Sequence, residues 1–240
     1  MAITSCQSTV EAIIQHTHDV REIALRLKEP RELPFIAGQY INFMVPAPNK
    51  PKPVSRLYSI GSAPSERGII RVVYNFVGGP GTTFLQGLTG GMPVTFKGPF
   101  GHFVLKTDSA RDVLFVATGT GIVPFYSMLQ EYFGHADGGP LQHRRVTLLW
   151  SVRRQEDLYY QDALRALEKK FANFRFLMTL TRPDDGWQGL RGRVTALFAD
   201  QVKGVDNIEI YCCGSDAMIT DITALAKARG ACPVYREKYF

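Results

Sequence analysis

Val113-Leu114-Phe115-Val116-Ala117-Thr118-Gly119-Thr120-Gly121-Ile122-Val123-Pro124 decides how this 240-residue chain is read. The run from Val113 to Val116 is apolar throughout, as in a strand buried on both faces of a parallel sheet. The glycines behind it permit close backbone approach, and Pro124 suits the first turn of a helix from about Pro124 to Phe133. A helix entry needs glycine in any case, so the G-x-G spacing alone says little. Its position says more, because ligands of open α/β sheets bind outside the carboxyl ends of the strands.

Toward the C-terminus, strands and helices alternate. Val146 to Trp150 reads as a strand, Glu156 to Lys170 as a helix, Phe174 to Leu180 as a strand and Val194 to Asp200 as a short helix. Ile208 to Cys213 then reads as a strand, Asp216 to Arg229 as a helix and Val234 to Tyr239 as a fifth strand. In the last helix Met218, Ile219, Ile222, Leu225 and Ala226 share one face. This order predicts a doubly wound, five-stranded parallel sheet. Cys213-Gly214-Ser215-Asp216 is a second strand–turn–helix passage at the same end of it. Ala136 to Gly139 reads as a mobile surface loop.

Toward the N-terminus the period shortens to two. Ile23, Leu25 and Leu27 alternate with Glu22, Arg26 and Lys28, and Ile41, Phe43 and Val45 share a face in Tyr40 to Val45. Ile69 to Asn75 is β-branched and aromatic, and Val94 to Lys97 is another short candidate. Turn signals separate these runs, which predicts an antiparallel sandwich or barrel. A short helix is expected from Thr82 to Leu88, with Gly81 or Thr82 near its cap. The polar stretch Lys106 to Arg111 marks a boundary, giving domains of residues 1–107 and 108–240.

Composition narrows the function. With 45% hydrophobic and 21% charged residues, disorder is excluded as the main state. No apolar run approaches the ~18–20 residues of a membrane span. Met1 to Gln7 lacks a basic segment followed by an apolar one, so no secretory signal is expected. The four cysteines, Cys6, Cys212, Cys213 and Cys232, form no C-x-x-C pair, against zinc, thioredoxin-type and iron–sulfur modules. A cytoplasmic location follows as the expectation. The net charge of +6 favours acidic partners. The basic residues come in pairs such as Arg153–Arg154, with no nucleic-acid-binding motif, so nucleic acid is not an expected partner.

Arg56-Leu57-Tyr58-Ser59, taken alone, is a strand with a surface arginine and a buried tyrosine. Gly79-Pro80-Gly81-Thr82-Thr83 follows, a glycine turn before a helix start whose exposed N–H groups suit an anion. An arginine, an N–H cradle and a flat ring together suit a dinucleotide with a pyrophosphate and a flavin.

These motifs, with Gly98-Pro99-Phe100-Gly101, Cys213 to Met218 and Glu237-Lys238-Tyr239-Phe240, resemble the ferredoxin–NADP reductase superfamily of flavoproteins over nearly the whole chain. The resemblance implies an N-terminal antiparallel β-barrel that binds FAD and a C-terminal α/β domain that binds NADPH or NADH. It places Arg56 on the FAD pyrophosphate with Gly79, Gly81 and Thr82. Tyr58 would pack on the flavin ring and Ser59 would bond near flavin N5, and Leu57, Val73 and Phe240 join the FAD contacts. The 98–101 stretch would line the adenylate. Thr118, Gly119, Thr120, Gly121, Cys213, Gly214 and Asp216 would accept the nicotinamide nucleotide. Thr181 and Arg182 would meet its 2′-phosphate, and Arg191 and Arg193, close in sequence, would add charge there. Ser59, Cys213, Glu237 and Tyr239 form the expected catalytic set, with the ring of Tyr239 covering the flavin and Phe240 anchoring or extending it. The implied activity is an NAD(P)H-dependent flavoprotein reductase serving a small acidic redox protein, ferredoxin or flavodoxin. A flavin or quinone reductase, or an electron-transfer subunit of a larger oxygenase or redox complex, are the alternatives.

Overall fold

The computed structural model describes residues 3–48, 50–134 and 139–239. The chain forms two compact units, Met1–Leu105 with Tyr126–Glu131, and Lys106–Phe125 with Tyr132–Phe240.

The first unit holds β1 (Thr4–Gln15), β2 (Val20–Glu29), β3 (Tyr40–Val45), β4 (Val54–Ser59), β5 (Ile69–Asn75), α1 (Pro80–Gln86) and β6 (Pro93–Phe100). Its sheet order is β4-β3-β6-β1-β2-β5, antiparallel throughout. A bridge from Ile60 to Val72 joins the end of β4 to β5 and curls the sheet into a barrel. The predicted alternation holds, since Ile23, Leu25, Leu27, Ile41, Phe43 and Val45 all enter the core. The sequence reading contains no counterpart of β1. That strand turns Cys6, Ser8 and Val10 inward, so small and polar side chains hide the period, and a bulge between Val10 and Ala12 shifts it. The short helix starts earlier than expected. Gly79 is its N-cap rather than Gly81 or Thr82, because Pro80 takes the first helical position with its φ preset.

The second unit holds β7 (Asp112–Thr118), α2 (Val123–Gly134), β8 (Val146–Val152), α3 (Gln161–Lys170), β9 (Phe174–Leu180), β10 (Leu190–Arg191), α4 (Val194–Gln201), β11 (Ile208–Gly214), α5 (Asp216–Arg229) and β12 (Val234–Lys238). The sheet order is β10-β9-β8-β7-β11-β12, all parallel. Two-residue β10 adds an edge to the five predicted strands. Leu114, Val116, Ile210 and Cys212 pack on α4 and α5, while Phe115 on the opposite face stacks on Phe125 of α2 at 4.7 Å. The predicted helix from Glu156 is interrupted: Gln155–Asp157 forms a separate 3-10 turn, and Tyr160 at φ 57 breaks the chain before α3. On α5 Met218, Ile219, Ile222 and Ala226 are buried as predicted, and Ser215 caps it by accepting the Met218 N–H at 3.4 Å.

From β7 the strand order runs to β8 and β9 on one side and to β11 and β12 on the other. The crevice at the carboxyl ends of β7 and β11 is therefore the topological switch point of the sheet. Of the expected loop from Ala136 to Gly139, residues 136–138 lie outside the described residues. Among the described residues no helix is long and apolar enough to cross a membrane.

Candidate cofactor-binding sites

In the first unit, strand alternation puts Arg56 and Tyr58 on one face of β4. The two converge on Gly81. A Cβ built there would overlap the Tyr58 hydroxyl and come within 2.9 Å of Arg56 Cγ, so only glycine lets the helix start approach β4. Thr82 Oγ1 donates to the Gly79 carbonyl at 3.1 Å, and a Cβ on Gly79 would meet open space. Arg56 is half-buried and donates to the Ser55 carbonyl at 2.7 Å, with no carboxylate partner among the described residues. Burial pushes the Tyr58 phenol up to about 12 against the opposing pull of Arg56, so it stays neutral at ordinary pH. A cation without a carboxylate partner among the described residues, open space beside Gly79 and a neutral ring fit a phosphate-bearing aromatic ligand.

Other expected members of this site stand apart from that convergence. Leu57 is exposed on the other face of β4. Val73 is buried on β5 but points away from the barrel core that Val72 and Tyr74 enter. Ser59 is buried at the end of β4, opposite Tyr40. Phe240 lies outside the described residues. The glycines at 98 and 101 are consumed by packing: a Cβ on Gly98 would come 2.9 Å from Ile41 Cγ2, and one on Gly101 would come 2.9 Å from the Tyr40 ring.

In the second unit, the two strand–turn–helix passages interlock at the switch point. Thr118 Oγ1 accepts the Ser215 N–H at 3.0 Å. A Cβ on Gly121 would overlap the Cys213 carbonyl and lie 2.8 Å from the Gly214 Cα, while one on Gly214, at φ 135, would overlap Thr118 Oγ1. Gly119 at φ 53 is different: nothing lies within 4 Å of a Cβ placed there. Gly121 and Gly214 thus close the turns onto each other, and Gly119 leaves space beside them. Asp216 opens α5 directly after the cap.

Cys213, Glu237 and Tyr239 gather at the same place. Cys213 pairs in register with Glu237, and the Tyr239 N–H donates to the Gly214 carbonyl at 2.9 Å. Burial drives the Cys213 thiol well above its ordinary range. The Glu237 charge adds to that shift, and a hydrogen bond from the Tyr239 side chain opposes it. Cys213 is fully buried, so its thiol stays neutral and is no nucleophile.

Three arginines collect at the carboxyl edge of β8, β9 and β10. Arg182 follows β9, and its N–H donates to the Arg153 carbonyl, just past β8, at 2.8 Å. β10 pairs in parallel with β9, so the chain reaches Arg193 at the end of the sheet that carries Thr181 and Arg182. Arg153, Arg182 and Arg193 are exposed and have no carboxylate partner among the described residues. Arg191 differs, since its guanidinium is spent on the carbonyls of Asp184, Asp185 and Trp187. The sequence reading omits Arg153 from the site. Its signal was a basic pair directly after an apolar strand.

Residues 7–105 match the oxidoreductase FAD-binding domain family, and residues 115–224 match the oxidoreductase NAD-binding domain family. The chain is 32% identical to ferredoxin–NADP reductase B of Sorangium cellulosum, over 92% of this chain and 91% of that one. It is 29% identical to the toluate 1,2-dioxygenase electron transfer component of Pseudomonas putida, over 97% of this chain and 68% of that protein. Among solved structures, a ferredoxin NADP+ reductase from Neisseria gonorrhoeae with bound FAD and NADP shares the fold at a TM-score of 0.81 and 21% identity, covering all of both chains.

Proposed function

This chain belongs to the ferredoxin–NADP reductase superfamily, and from that premise we propose that residues 1–107 hold FAD and residues 108–240 hold the nicotinamide nucleotide of an electron-transferring reductase. When bound, the two cofactors supply hydride exchange and the release of electrons one at a time. The protein's part is placement and electrostatics.

The observation that carries this reading is the interlock of the 118–121 and 213–216 turns at the switch point, with space left at Gly119. Those turns receive the nucleotide phosphates. Cys213, Glu237 and Tyr239 line the nicotinamide end, where a neutral thiol adds no charge beside the reacting carbon. Arg56, Gly79, Gly81 and Thr82 take the FAD pyrophosphate, Tyr58 packs on the flavin ring and Ser59 serves flavin N5. Arg153, Arg182 and Arg193, with Thr181, present open cations to a 2′-phosphate, which favours NADPH over NADH.

The partner is a small acidic redox protein, ferredoxin or flavodoxin, which the +6 charge would steer. The four free cysteines support a reducing, cytoplasmic setting. A second reading, an electron-transfer component of an oxygenase, draws support from the likeness to the toluate dioxygenase component.

Anaerobic stopped-flow mixing separates these. The FAD-loaded chain is reduced with NADPH or NADH, then reoxidised with ferredoxin, flavodoxin, a quinone or free flavin. The reading expects FAD retained through desalting, faster reduction by NADPH and fastest reoxidation by a protein carrier. Flavin lost on desalting, or no reduction by either nucleotide, would overturn it.

A further inference from the structure

Within the Thr118–Gly121 turn, Gly119 is held in the left-handed region at φ 53. Two donors converge on its carbonyl: Trp150 Nε1 at 3.0 Å and the Tyr159 hydroxyl at 3.3 Å. Trp150 is fully enclosed and Tyr159 is buried. Their rings meet edge to face at 5.2 Å, so each limits the movement of the other. Gly119 also opens a 3-10 helix, Gly119–Ile122, and these two side-chain donors reach its carbonyl from outside that helix.

Neither donor is a plain core aromatic. Trp150 stands near the carboxyl end of β8, beside Ala117 of β7, which places its indole N–H under the turn. Tyr159 belongs to the short link that interrupts the expected helix. The next residue, Tyr160, takes φ 57, a conformation that costs a non-glycine residue energy and persists only where the surroundings require it. That break separates Tyr159 from α3.

A trans peptide carries its C=O and the following N–H on opposite edges. Holding the Gly119 carbonyl toward Trp150 and Tyr159 therefore directs the Thr120 N–H the other way. Space is open beside Gly119. We propose that Trp150 and Tyr159 are positioning residues for the nucleotide pyrophosphate: they lock the Gly119–Thr120 peptide so that its N–H is presented to the phosphate before the ligand arrives. This rests on the reading that the 118–121 turn receives the nicotinamide nucleotide. The gain is preorganisation, since an unlocked glycine peptide must be ordered at the cost of binding.

The test is isothermal titration of the FAD-loaded protein with ADP-ribose, which carries the pyrophosphate without the reacting ring. Tyr159→Phe deletes one hydroxyl and keeps the ring packing. The proposal expects the ADP-ribose Kd to rise about 3–10-fold, as for one neutral hydrogen bond. It also expects an unchanged thermal midpoint and an unchanged limiting rate of flavin reduction at saturating nucleotide. Thr120→Asp, which sets a carboxylate in the turn, serves as the second variant. If Thr120→Asp binds ADP-ribose like the parent, the underlying site assignment falls, and the proposal with it. If Thr120→Asp loses binding while Tyr159→Phe binds like the parent, the assignment stands and the positioning role is overturned. A weaker Kd in Tyr159→Phe that comes with a lowered thermal midpoint and a lowered limiting rate also overturns it, because that pattern marks general structural support.

Discussion

Thr118 Oγ1 accepts the backbone N–H of Ser215 at 3.0 Å, tying together two turns that lie 97 positions apart in the chain. One side chain fixes where α5 starts relative to the end of β7. The approach is so close that Gly214 has no room for a Cβ on the Thr118 side, and Gly121 has none on the Cys213 side.

Thr118→Val keeps the shape and removes the acceptor. It is expected to cost about 0.5–1.5 kcal/mol of stability and to weaken nucleotide binding in parallel. Gly121→Ala must push against the Cys213 backbone and is expected to cost at least ~1–3 kcal/mol. Urea midpoints with nucleotide titrations check both, and a Gly121→Ala protein as stable as the parent would contradict the interlock.

Arg56→Ala is expected to weaken FAD by about 1.5–3 kcal/mol, the value of a charge-assisted hydrogen bond to phosphate. Flavin retention on desalting, with mass spectrometry of the released cofactor, is the measurement. FMN as the only released flavin would remove the pyrophosphate assignment.

Arg182→Ala and Arg153→Ala should each weaken NADPH by about 1.5–3 kcal/mol and leave NADH nearly untouched, because only NADPH offers the 2′-phosphate. The ratio of the two KM values reads this out. Equal losses for both nucleotides would show that these arginines serve the fold or a phosphate common to both.

Tyr239 is tied at its N–H to Gly214 and at its side chain to Cys213. If its ring also covers the flavin, nucleotide entry must first displace that ring. Tyr239→Ser is then expected to tighten nicotinamide nucleotide binding and to alter the flavin absorbance. Identical spectra and affinities would leave Tyr239 with a packing role alone.

The Cys212 thiol is pushed from its ordinary 9.0 up to about 12 by burial, partly offset by Arg236. Below pH 9 the folded and unfolded chains both carry the proton, so stability is indifferent to this group. Between pH 9 and about 12 only the unfolded chain loses it, and stability falls by up to about 1.4 kcal/mol per pH unit. Cys212→Ala should flatten that alkaline decline relative to its own stability at pH 8. Parallel denaturation curves for the two proteins from pH 8 to 10.5 would refute it.

The sequence alone determined which half is β and which is α/β. Those signals are local: period-two runs such as Ile41, Phe43 and Val45, the uninterrupted apolar run of β7, and the single face of α5 each reflect burial of neighbouring residues. It also marked the two glycine turns and the Arg56–Ser59 strand, because glycines and an arginine close to a tyrosine stand out without a partner in view. It did not reveal β1, whose inward Cys6 and Ser8 carry no apolar period. Nor did it reveal the break at Tyr160, where φ 57 interrupts the predicted helix next to Tyr159, whose hydroxyl bonds to Gly119 across the fold. What only the tertiary structure decided is which residues meet: Tyr58 and Arg56 over Gly81, Thr118 against Gly214, Arg153 beside Arg182, and Trp150 with Tyr159 beneath Gly119. The physical reason is one of range. Periodicity reports what a residue does with its neighbours a few places away, whereas a cofactor cradle is made from strand ends that the sheet order brings together.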